Sequence, residues 1–96
     1  MNVLVTYDVS TLTPAGRRRL RRVARACLDF GQRVQASVFE CQIGEIELVR
    51  LRARLLEEIN PKEDSLRLYR LTGNFAEVVE SHGIDPRIDF DGPLIV

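Results

Sequence analysis

Apolar and polar positions fall into short blocks along this chain, and the period changes from block to block. Residues 2–9, NVLVTYDV, are β-branched and aromatic with apolar side chains on both faces, the pattern of a central strand. From about residue 14 the period becomes helical. Thr11 or Thr13 offers an N-cap, Pro14 suits the first turn, and the stretch runs to about Phe30, with Gly31 as a left-handed stop. Residues 33–43, RVQASVFECQI, read as strand, either one long strand or two short ones turning near Ala36-Ser37. A second helix spans about 45–59 and is ended by Asn60-Pro61. SLRLYRL at 65–71 predicts another strand and Thr72-Gly73-Asn74 a turn. Residues 75–82 predict a short helix, and PLIV at 93–96 a last short strand.

This order, β-α-β(β)-α-β plus a terminal strand, predicts an α+β protein. Two helices against one sheet make a ferredoxin-like βαββαβ sandwich with an extra C-terminal strand. An apolar end such as Leu94-Ile95-Val96 is poorly held in so small a domain. It is better buried on the sheet edge of another subunit, so residues 91–96 are expected to pair with a partner in a homodimer.

Composition narrows the class. With 96 residues the chain reads as a single domain. No apolar run approaches the ~20 residues of a membrane span, and no basic segment precedes the apolar stretch at the amino terminus. A cytoplasmic protein without membrane contact is expected. Cys27 and Cys41 are too few for a disulfide scaffold and form no CxxC pair.

The net charge of zero conceals an asymmetry. Lys62 is the only lysine, and six arginines crowd into RRRLRRVAR at 17–25. Acids gather late, with Glu77, Glu80, Asp85, Asp89 and Asp91 facing only Arg87 there. On the first helix Leu20, Val23, Ala24 and Cys27 share one face, Arg18, Arg21, Arg22 and Arg25 lie opposite, and Arg17 and Arg19 sit on the borders. A solvated outer face explains any single arginine. Four on one stripe repel one another, with only Asp29 on that face to offset them, and a polyanion relieves the repulsion. Nucleic-acid phosphate is the natural candidate. The second helix interleaves Glu47, Arg50, Arg54, Glu57 and Glu58 outside its Leu48, Leu51, Leu55, Ile59 stripe, and is expected to serve packing and solubility.

Asp8 stands at the carboxyl end of an apolar strand. A carboxylate there needs a partner: a loop amide to cap, an arginine or a metal. One carboxylate is a poor Mg²⁺ cage, which two-fold symmetry repairs by bringing two copies together. His82 reads as a structural or surface residue, and the cysteines as core. Nothing in the sequence resembles a Ser-His-Asp or Cys-His constellation or a P-loop.

Several segments together resemble one family. They are the strand ending in Tyr7-Asp8, the arginine-rich helix, Gly31-Gln32-Arg33-Val34-Gln35 running into Ser37-Val38-Phe39-Glu40-Cys41, Leu66 to Leu71, and Pro93-Leu94-Ile95-Val96. The chain is similar to CRISPR-associated protein 2, the small subunit of the spacer-acquisition machinery. The RVQ-x-SVFEC segment is the most specific part. The resemblance implies a ferredoxin-like homodimer that bridges two dimers of the CRISPR integrase subunit. It also implies a Mg²⁺-dependent endonuclease acting on single-stranded RNA or duplex DNA. Asp8 matches the family's metal aspartate, given once by each subunit at the dimer interface. Tyr7 matches the aromatic residue before it, Arg33 and Phe39 match positions tied to that site, and Arg17 and Arg19 match more loosely. The competing readings are a stand-alone mRNA-cleaving toxin of the same fold, a non-catalytic nucleic-acid scaffold, and a small-ligand regulatory domain.

Overall fold

The computed structural model describes residues 1–73, 75–78, 80 and 82. Its elements are β1 (Asn2–Asp8), α1 (Pro14–Leu28), β2 (Gln32–Gln35), β3 (Val38–Gln42), α2 (Glu45–Glu58), β4 (Ser65–Leu71) and α3 (Phe75–Val78). The four strands form one antiparallel sheet in the order β2-β3-β1-β4. Each helix therefore crosses over a strand inserted between the two it connects, which is the ferredoxin-like arrangement that the order of elements predicts. The apolar terminal strand expected at 91–96 lies outside the described residues.

β1 is central because it can be. Val3, Val5 and Tyr7 alternate onto the helix-covered face and join Phe39 and Cys41 of β3. From above, Val23, Ala26 and Cys27 of α1 and Leu48, Leu51 and Leu55 of α2 close the same core. Residues 33–43 resolve into two strands with a turn at Ala36-Ser37, and a bulge between Arg33 and Gln35 breaks the β2–β3 register.

The helix boundaries follow local chemistry. Thr13 is the N-cap of α1, its side chain accepting from the Gly16 amide at 3.1 Å, and Pro14 occupies the first turn. α2 starts at Gly44, whose amide donates to the Glu47 carboxylate at 3.1 Å. The end of α1 differs from expectation. The helix stops at Leu28, Asp29 stays right-handed, and Gly31 does not adopt the left-handed conformation expected of it. Gly31 is small for another reason: a Cβ there would drive into the Glu40 carbonyl oxygen and the Cys41 side chain. The left-handed glycine is instead Gly73, with φ 77°, in the turn after β4.

One carboxylate ties the ends of these elements together. Asp64, just before β4, has a side chain with no exposed surface. Its Oδ1 accepts from the Ser10 amide at 3.0 Å, and its Oδ2 accepts from the Asn60 amide at 2.8 Å and from Arg19 Nε at 2.9 Å. Arg19 Nη2 reaches Asp64 Oδ1 at 3.3 Å and Glu63 at 2.8 Å. Three segments thus meet on one group: the loop after β1, the first turns of α1 and the α2–β4 connection. Burial by itself would raise the Asp64 pKa. The Arg19 guanidinium and the Asn60 and Ser10 amides outweigh burial and hold it below the ordinary carboxylate value.

Two predictions follow from this packing. A carboxyl group whose pKa is lowered on folding adds stability above its unfolded value, and loses it as pH falls through the folded value. Asp64→Asn is expected to cost on the order of 3 kcal/mol at neutral pH, because it removes the buried charge that Arg19 and the Asn60 and Ser10 amides share and leaves Arg19 only Glu63. Urea unfolding of parent and variant should converge as the pH is lowered through the carboxylate range. Burial also pushes the Cys27 thiol up to about 12 and the Cys41 thiol up to about 11. Both are fully buried and free. A thiol reagent at mildly alkaline pH should therefore label neither cysteine in the native protein and both in urea.

Candidate functional site

The end of β1 separates two neighbouring residues onto opposite faces of the sheet. Tyr7 points toward the helices and is buried, while Asp8, opposite Ser65 of β4, points away from them and is exposed. The Asp8 carboxylate makes no hydrogen bond or ion pair among the described residues. The loop amide that it might have capped, that of Ser10, is taken by Asp64. Asp8 is thus a ready oxygen donor on a strand end held from behind by the Asp64 cluster.

Tyr7, Phe39 and Arg33 form a stack on the other face. The Tyr7 and Phe39 rings lie 6.1 Å apart and nearly parallel, and the Arg33 guanidinium sits 5.1 Å from the Phe39 centroid. Tyr7 Oη reaches the Ala36 carbonyl at a long 3.4 Å, and burial raises its pKa, Cys27 adding to this and Arg33 opposing it. Only Arg33 of this group is exposed. Within one chain the stack is a rigid support running from the core to the β2 edge, and its rings do not meet the Asp8 carboxylate. The period of a strand would have separated Tyr7 from Asp8, but the register that brings Arg33 and Phe39 together passes through a bulge that no local pattern announces.

The structure sorts the arginines of α1 into three groups. Arg19 turns inward to Asp64 and Glu63, and its side chain is 17% exposed. Arg17 donates to the Thr11 carbonyl at 3.2 Å and stays at the helix start. Arg22 lies 3.9 Å from Glu58 of α2, a loose pair. Arg18, Arg21 and Arg25 are exposed and have no acidic partner among the described residues. Asp29 does not relieve them, because it is bound by Arg54 of α2 at 2.7 Å. Among the described residues the stripe therefore survives as three cations without an acidic partner and a fourth weakly held. The composition hid Asp64 as a member of the site's frame. Its signal was an acid next to Pro61-Lys62-Glu63, which reads as an ordinary loop.

No group of three or more His, Cys, Asp or Glu side chains able to hold a metal occurs among the described residues. Among the described residues the end of β1 offers Asp8 alone. Asp64 is not a second ligand, because both of its oxygens are already satisfied. Mg²⁺ keeps most of its waters and commonly takes one or two carboxylates with substrate phosphate, and two copies of Asp8 facing each other would supply that donor set. His82 is a surface residue paired with Glu80 at 2.6 Å. Among the described residues no helix is long and apolar enough to cross a membrane.

Comparison with known proteins agrees with this frame. The sequence pattern of the family CRISPR associated protein Cas2 matches residues 1–77. A Chlorobaculum tepidum protein named CRISPR-associated endoribonuclease Cas2 is 55% identical over 96 residues, 100% of each chain. A Moorella thermoacetica protein named CRISPR-associated endoribonuclease Cas2 1 is 52% identical over the same span, again 100% of each chain. A Halalkalibacterium halodurans relative, named CRISPR-associated endonuclease Cas2, is 50% identical over 95 residues, 99% of each chain. The crystal structure of Streptococcus pyogenes Cas2 at pH 6.5 superposes with a TM-score of 0.78 at 55% identity, covering 86% of this chain and 100% of that one. A hypothetical protein from Thermus thermophilus gives 0.73 at 32% identity, covering 90% and 94%. Fold, strand order and sequence agree over nearly the whole length, and the chain belongs to the CRISPR associated protein Cas2 family.

Proposed function

We propose that this protein is a Mg²⁺-dependent endonuclease of the CRISPR system that works as a homodimer. The observation that carries the reading is the Asp8 carboxylate, exposed and without a partner among the described residues, at the end of a central strand whose neighbours are fixed. Two chains facing each other through the sheet faces turned away from the helices would bring two Asp8 side chains to one phosphate. The names of the Chlorobaculum and Halalkalibacterium relatives, an endoribonuclease and an endonuclease, support the same reaction class.

In this reading each residue has a limited task. Asp8 from each subunit would hold the cation. Bound there, a divalent cation would supply a water of lowered pKa and neutralise charge at the scissile phosphate. Arg18, Arg21 and Arg25 bind phosphates away from the point of cleavage, with charge-assisted hydrogen bonds that fix the strand. Tyr7, Phe39 and Arg33 keep the β1 end and the β2–β3 turn in register. Among the described residues no second free carboxylate stands near Asp8 to act as general base, so the rate depends on how well the substrate phosphate completes the site. The dimer would also bridge dimers of the CRISPR integrase subunit during spacer acquisition and bind duplex DNA there. The arginine stripe favours this second role, since it does not need Asp8.

Purified protein incubated with Mg²⁺ and either single-stranded RNA or duplex DNA should cleave one of them, and Asp8→Asn should bring cleavage below detection. Because Asp8 is exposed, the variant should keep its stability to within about 0.5 kcal/mol. Cleavage that persists in Asp8→Asn rules out the site. Replacing Arg18, Arg21 and Arg25 together by alanine should weaken duplex binding and reduce the slope of log affinity against log salt by about 2 to 3. An unchanged slope removes α1 from the interface.

A further inference from the structure

The outer face of α2 carries a second feature, separate from the strand end. Leu48, Leu51 and Leu55 enter the core, as the sequence implies. Ile46, Val49, Ala53 and Leu56 form another apolar stripe at spacings of three, four and three, about 140° around the helix from the first. Ile46 is 70% exposed, Val49 58% and Leu56 58%. Nothing among the described residues covers them. The pairs that tie α2 to α1, Arg54 with Asp29 and Arg22 with Glu58, lie on the flank toward α1 and leave the stripe unused.

The charges beside the stripe say what fits it. With Ile46 and Ala53 at heptad positions a, and Val49 and Leu56 at positions d, the g positions are Glu45 and Arg52 and the e positions are Arg50 and Glu57. In a parallel pair of these helices Glu45 faces the second copy's Arg50, and Arg52 faces the second copy's Glu57. Two-fold symmetry repeats both contacts, and every flanking pair is then of opposite sign. An antiparallel pair on the same stripe sets Arg50 beside Arg50 and Arg52 beside Arg52 near its centre, which is repulsive. Charge thus selects both the occupant and its direction.

We infer that α2 is a self-association surface, pairing in parallel with α2 of a second copy as a two-heptad coiled coil. This contact is distinct from the sheet-face dimer proposed above and links such dimers into larger assemblies. It is weak. Four apolar side chains a side fall far short of the ~20–30 residues of a stable interface, and Ala53 fills its layer poorly. Glu45 must also exchange its present partner, Arg70, at 2.7 Å. The helices are already folded, so no backbone ordering cost adds to that of fixing the flanking side chains.

Sedimentation of the full chain from micromolar to millimolar concentration tests this. Mass above that of the dilute species should rise with concentration. Arg52→Glu alone and Glu57→Arg alone each turn two attractive contacts repulsive and should weaken the association about 10-fold. The double variant Arg52→Glu/Glu57→Arg restores opposite signs in the parallel pair and should recover it. These positions are exposed, and circular dichroism of each variant, expected to match the parent, checks that it is folded. A constant mass over the whole range, single reversals without effect, or a double variant that fails to recover overturns the pairing. Cleavage by these variants should equal that of the parent, so failure here and failure at Asp8 are told apart.

Discussion

β1 is hydrogen-bonded on both edges, to β3 and to β4, and its side chains alternate with a period of two. Everything else depends on that constraint. Val3, Val5 and Tyr7 must point to one side, and both helices are recruited there to cover them. Asp8 is then forced to the other side, at the end of the strand, where neither helix can reach it. A one-residue slip of register would bury Asp8 and expose Tyr7, so the core itself fixes where the carboxylate stands.

A strand end is mobile unless something holds the loop that follows. Asp64 does this from a distance in sequence. It takes the Ser10 amide from one side, the Asn60 amide from another and the Arg19 guanidinium from above. Arg19 is thereby withdrawn from the basic stripe, and its neighbours Arg18, Arg21 and Arg25 are left facing solvent. One helix thus serves two purposes, with a border arginine as structural anchor and the outer ones as free charge. The same division recurs on α2. Its leucine stripe closes the core, its Arg54 holds the end of α1, and Ile46, Val49 and Leu56 stand uncovered by any described residue.

Much of this was legible in the sequence, because much of it is local. Strand period, the Thr13-Pro14 helix start, the Asn60-Pro61 stop and the turn at Thr72-Gly73 are each encoded within a few residues, and the elements fall close to where these signals put them. The resemblance in RVQ-x-SVFEC identified the family from a stretch whose own folding the pattern left open, between one strand and two. Asp8 could be singled out because a carboxylate at the end of an apolar strand is conspicuous. Gly31 departs from the local expectation because a missing Cβ has two physical uses, a left-handed turn and a close approach. The sequence shows the missing Cβ, while only the approach of Glu40 and Cys41 shows which use applies.

The elements, their order, the core faces of both helices and the clustering of positive charge on α1 can be read along the chain, because side-chain period and composition are features of a single segment. That Asp64 is the hub of the frame, that Arg19 belongs to it, and that Tyr7, Phe39 and Arg33 stack on the face opposite Asp8 emerges only from the fold. So does the exposure of the second apolar stripe of α2, which no described residue covers, although its spacing is local. Each of these is a relation between segments dozens of residues apart. A carboxylate's partner, or the face an apolar stripe meets, is set by how the chain closes on itself and not by its neighbours in sequence.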